Sequence, residues 1–173
     1  EMVAYLLART RRVRVGAAVV NLSLTHPLRF AERVSLLDQL GGGRADICVG
    51  RGYQWPQNVV MEMEEEHTRA HFEEALDIVL NVWEPELVSH EGVYFNFPPI
   101  RIWPGPLRSP GEVLLHAVGG STPLERVVER GLPLALAVPF RPIEDAAAMF
   151  SRYVELVSCL LYTSPSPRDR QKS

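Results

Sequence analysis

Only two cysteines occur in 173 residues, and one of them, Cys159, sits in an atypical tail. The single thiol left in the body of the chain, Cys48, excludes a disulfide framework and points to a cytoplasmic setting. Basic residues are not in excess: 18 Lys and Arg stand against 21 Asp and Glu, for a net charge of −3. That balance argues against a dedicated nucleic-acid surface. No apolar run reaches the roughly 20 residues of a membrane span, so no membrane partner is expected. Histidines are few as well, five in all. His67 and His71 have the i, i+4 spacing of a helical metal pair, but no third ligand accompanies them and no metal centre is expected. What remains is an ordinary globular composition, 46% hydrophobic and 23% charged.

The densest information lies between Val13 and Tyr53. Val13 to Val20 is an apolar, β-branched run that suits a buried strand. Thr25 can cap a following helix that carries Pro27 in its first turn. Phe30, Val34, Leu37 and Leu40 recur on one stripe of that helix, and Gly41 to Gly43 stop it. Ile47 to Val49 starts the next buried strand, which runs into Gly50-Arg51-Gly52. Four arginines, Arg9, Arg11, Arg12 and Arg14, precede the first strand and read as a charge cluster at a helix C-terminus.

The strand-helix pattern then repeats. A helix is expected from about Glu66 to Trp83, with Phe72, Leu76, Val79 and Trp83 on its apolar face and Glu73, Glu74 and Asp77 on the other. Val88 to Phe95 reads as a hairpin turning near Glu91-Gly92, and Pro98, Pro99, Pro104, Pro106 and Pro110 argue against regular structure in most of the next stretch. Val113 to Val118 and Leu132 to Val138 are two more strands. Leu124, Val127 and Val128 mark the helix between them, and Ala147, Phe150, Val154 and Val157 mark one from Ile143 to Val157. Four βα steps fit either a doubly wound open sheet or a slice of a (β/α)8 barrel, and periodicity does not separate the two.

Three places carry candidate ligand chemistry. Arg51 is a cation flanked by glycines just past a buried strand, where an α/β protein holds an anion; read without its neighbours it is a surface arginine paired with an acid. Gly119, Gly120 and Ser121 lie between a strand and a helix, so their N–H groups either face an anion or simply form a tight capped turn. Arg69 opens the second helix, within reach of a ligand or of Glu65 and Glu73 four residues away.

These residues, with the Val13–Tyr53 block, resemble the luciferase-like flavin-dependent monooxygenases, the family of the bacterial luciferase α subunit. The resemblance runs from about Leu6 to Leu156 and implies a partial (β/α)8 TIM barrel, about four central βα units. It implies reduced FMN as cofactor, delivered by a separate flavin reductase, with molecular oxygen and a small organic substrate as co-reactants. Arg51, Arg69, Gly119, Gly120 and Ser121 correspond to its phosphate-side contacts. Ala18 and Val19 correspond to a non-proline cis peptide lying against the flavin ring. A homodimer is also implied. Two readings stand beside this one: a deazaflavin-dependent hydride-transfer oxidoreductase on the same barrel, and a flavin-binding protein without turnover. Where the luciferase α subunit has a reactive cysteine and a tyrosine, this chain has Gly50 and Gln54, so the resemblance does not extend to light emission. No residue here matches the family's catalytic histidine.

A complete barrel takes about 250 residues, and the chain has 173. It is therefore expected to be the central part of a barrel, over residues 1–158. Cys159 to Asp169 matches the translation of a transposase mosaic-end sequencing adapter. Residues 159–173 are accordingly expected to be a non-native tail without regular structure, the other reading being a natural Ser/Pro-rich tail.

Overall fold

In the computed structural model, which describes residues 1–52, 55–118, 123–136 and 142–163, four parallel strands form one sheet. They are β1 (Val15–Asn21), β2 (Ala45–Gly50), β5 (Leu114–Val118) and β6 (Leu134–Leu136), in the spatial order β1-β2-β5-β6. Helices α1 (Met2–Arg9), α2 (Pro27–Leu40), α3 (Trp55–Val60), α4 (Thr68–Asn81), the short α5 (Pro110–Val113), α6 (Leu124–Glu129) and α7 (Ile143–Thr163) occupy the connections. The strand order never reverses. Crossovers of a single hand therefore place the helices on one face, which is barrel winding and not the two-faced winding of an open sheet.

Register and alternation divide the sheet into two faces. Ile47 pairs with Leu114 and Val49 with His116. These residues, with Val118, are buried against Phe30, Val34, Phe72, Leu76, Val79 and Val127 from α2, α4 and α6. Successive side chains alternate across a strand. Gly50, Leu115, Ala117 and Ala135 therefore face the opposite side, the interior of a barrel.

Between the second and third strands of this sheet stands the hairpin of β3 (Val88–Glu91) and β4 (Asn96–Ile100). The second strand contains Pro98 and Pro99, against the expectation of irregular chain there. A two-stranded sheet consists only of edges, where an absent N–H costs no ladder bond. Glu74 of α4 fixes the turn: its carboxylate accepts hydrogen bonds from the N–H groups of Val93 (3.2 Å), Tyr94 (3.2 Å) and Phe95 (2.9 Å) and lies 3.1 Å from His90 Nε2.

Several local expectations are corrected. His26, not Thr25, is the N-cap of α2, and the Thr25 hydroxyl donates to the Asn21 carbonyl instead. Leu40 is exposed, while Asp38 and Ser35 join the buried face. On α7 the anticipated stripe is the outer one. Phe150 and Val154 are exposed, and the packed side is Ala146, Met149, Tyr153 and Leu156, with the Tyr153 hydroxyl on the Leu132 carbonyl at 3.2 Å. Helix α7 also continues through Cys159 to Thr163, because nothing before Pro165 breaks it. Of the arginine cluster, Arg14 pairs with Asp46, and it is Arg44 that donates to the Leu7 carbonyl at the end of α1 (3.0 Å).

Candidate functional site

The C-terminal ends of β1 and β2 gather the candidate residues. Strand β1 carries one residue more than β2 between two matched pairs: Ala17 opposes Ile47, and Val20 opposes Val49. The extra residue falls at Ala18-Val19, and the peptide bond joining those two is cis. Val19 is 46% exposed. A Cβ on Gly50 would lie 2.8 Å from Val19 Cγ1 and 3.3 Å from Ala117 Cβ, so the three positions meet on the inner face.

Arg51 follows directly. Its backbone is held because the buried Ser23 hydroxyl donates to its carbonyl. Gly52 has φ +80°, and a Cβ there would meet the Asn21 side chain at 2.9 Å, so a left-handed residue without a side chain is needed. The Arg51 side chain is half-buried, and among the described residues no acceptor engages its guanidinium. Arg69 is half-buried in the first turn of α4. Gly119, Gly120 and Ser121 lie outside the described residues. His67 Nδ1 is 3.2 Å from Glu64, the His71 ring packs 4.7 Å from the Phe95 ring, and both rings lie against Tyr94.

Neither Cys48 nor His116 offers chemistry at this site. Burial pushes the Cys48 thiol up to about 11, which suppresses the nucleophilic thiolate. His116 is 1% exposed on the helix-covered face, beside the Phe72 ring, and burial, helped by Arg130 and opposed by Glu73, lowers it to about 4.

Sequence reasoning missed the charged network at the opposite end of the strands. Fully buried Asp38 accepts from the Leu107 N–H (2.9 Å) and from Arg108 Nη2 (2.7 Å) and Nε (3.1 Å). Arg108 reaches on to Asp46 at 3.5 Å, and Asp46 accepts from Arg14 Nε at 2.7 Å. The available signal was an acid inside the helical stripe of Phe30 and Val34, a position that demands a buried partner.

Residues 1–158 match the family model described as luciferase-like monooxygenase. The chain belongs to that family. The solved monooxygenase RslO1 from Streptomyces bottropensis superposes with a TM-score of 0.86 at 28% identity, over 96% of this chain and 51% of that one. The alkanal monooxygenase alpha chain of Photobacterium leiognathi is 26% identical over 155 residues, 90% of this chain and 43% of its own length. The oxygenase component of the flavin-dependent trigonelline monooxygenase of Acinetobacter baylyi is 27% identical over 131 residues, 75% of this chain and 36% of its own. The chain thus spans about half or less of the length of these relatives. In a luciferase-like barrel the C-terminal strand ends form the active face, and here they bear Val19, Gly50 and Arg51.

Proposed function

We propose that this chain is the central part of a flavin-dependent monooxygenase that uses reduced FMN and molecular oxygen to oxidise a small organic substrate, with a separate flavin reductase supplying the cofactor. The observation that carries the reading is half-buried Arg51, just past the C-terminal end of β2, whose guanidinium has no acceptor among the described residues. Beside it on the inner face Val19 packs over Gly50 and next to Ala117, and this is the surface on which a planar ring would rest. When bound, the flavin supplies the oxygen chemistry. The chain's own part is to hold the phosphate with Arg51, Arg69, Gly119, Gly120 and Ser121, and to seat the ring against Ala18 and Val19 in a site closed to water. The trigonelline relative, an oxygenase component by name, supports a separate reductase. No described helix is long and apolar enough to cross a membrane, and we place the protein in the cytoplasm as a homodimer.

The decisive experiment is Arg51→Ala in the full-length protein. A charge-assisted phosphate contact contributes about 1.5–3 kcal/mol, so FMN affinity should fall roughly tenfold or more, while riboflavin, which lacks the phosphate, should lose much less. Equal losses for both ligands would refute the phosphate role. The absorption spectrum of the cofactor that copurifies separates flavin from deazaflavin. The four-stranded chain by itself is expected to retain FMN poorly and to support no NADH-linked oxygen consumption with a reductase, because its sheet ends on open edges at β1 and β6. Stoichiometric flavin and turnover by residues 1–158 alone would overturn the reading of this chain as part of a larger barrel.

A further inference from the structure

The extra residue in β1 has a consequence for the ring bed. A bulge re-aims a side chain relative to a regular strand. Between the Ala17–Ile47 and Val20–Val49 pairs, β1 advances three residues while β2 advances two. The added step brings Val19 to the inner face, 46% exposed, with Cγ1 in the space that a Cβ at position 50 would need. A Cβ at 50 would require Val19 to give way, since real Cβ atoms essentially never approach a neighbour to 2.8 Å. Ala117, 3.3 Å from the same point, closes the other side. The inner surface at this level is therefore filled from β1 and left open by β2.

We infer that Val19 and Gly50 form one steric unit in which Val19 is the specificity-determining residue. Its isopropyl group sets how deep a planar ring settles on the sheet, and Gly50 is glycine because Val19 takes its volume. The volume at 19 then trades against the volume at 50: a side chain at 50, such as a cysteine, requires a smaller residue at 19. The ring part of this inference rests on the flavin reading; the steric part does not.

The test is a double-substitution cycle in the full-length protein, read by thermal unfolding and by titration with FMN and riboflavin. Gly50→Ala should lower the melting temperature by about 5 °C through overpacking, and Val19→Ala added to it should restore at least half of that loss. Additive effects of the two substitutions would overturn the steric unit. Val19→Ala alone should weaken FMN and riboflavin by the same factor, roughly fivefold, because it alters the ring bed and not the phosphate contact. Val19→Leu should also weaken both equally, and it serves in place of Gly50→Ala if that variant does not fold. Unchanged affinities, or a loss confined to FMN, would overturn the role of Val19. A protein that binds neither ligand would refute the flavin reading and the ring bed with it, while the unfolding cycle still decides the steric pair.

Discussion

The two ends of the parallel sheet are built on opposite principles. At the N-terminal end a chain of charges is paired: Asp38 with Arg108, Arg108 with Asp46, Asp46 with Arg14. At the C-terminal end β2 finishes in Gly50 with Ala117 beside it, Val19 stands half-exposed, and the Arg51 guanidinium has no acceptor among the described residues. One end spends its polar groups on itself and the other holds them in reserve. That division is what a barrel requires when stability belongs to one face and ligands to the other.

The comparison breaks most readily at Asp38. Asp38→Ala in the full-length protein should cost about 3–5 kcal/mol in urea unfolding, since it leaves Arg108 and two backbone N–H groups buried without their acceptor. A loss under 1 kcal/mol would show that the N-terminal network is not a scaffold. The sheet's covered face makes a second, smaller demand through His116. Above about pH 6.5 folded and unfolded chains both carry a neutral imidazole. Below it the unfolded chain takes up the proton first, because burial lowers the folded-state value to about 4. Stability should therefore fall by up to about 3 kcal/mol between pH 6.5 and 4, and His116→Phe should flatten that part of the profile. An unchanged slope in the variant would assign the acid sensitivity elsewhere.

Arg51 sharpens the contrast from the other side. Arg51→Ala should leave unfolding stability within about 0.5 kcal/mol, because among the described residues no partner is stranded, even as FMN affinity drops. A large stability loss there would make the C-terminal end structural as well. The smallest effect is expected from deleting residues 159–173, which lie beyond the family match at residue 158. Unfolding of the truncated chain should match that of the intact one within about 0.5 kcal/mol, and resequencing the source locus should show barrel sequence in their place. The same codons in independent reads made without an adapter would establish the tail as native.

Strands were legible in the sequence because mostly apolar runs such as Val13–Val20 and Val113–Val118 have few other uses in a chain of this composition, though β1 begins at Val15 and β5 at Leu114. Arg51 stood out as a candidate because glycines flank it. Helix α7 was harder: Ala147, Phe150 and Val154 repeat with the same period as Ala146, Met149, Tyr153 and Leu156, and period alone does not say which stripe faces the sheet. Asp38 was hidden because an acid near a helix end ordinarily faces water, and its partner lies seventy residues away. The choice of barrel over open sheet needed strand order, which no local pattern encodes.

The Glu74 carboxylate ties the hairpin to α4 in a way that isotope exchange would reveal. Val93 is 85% exposed, yet its amide, with those of Tyr94 and Phe95, donates to a side chain on a helix about twenty residues earlier in the chain. Burial pushes that carboxyl up, but the amides of Phe95, Tyr94 and Val93 and the ring of His90 outweigh it and hold it below its usual range. Deuterium should therefore enter these three loop-tip positions at the rate at which the helix lets go, so that the most exposed turn of the hairpin keeps time with the core beneath it.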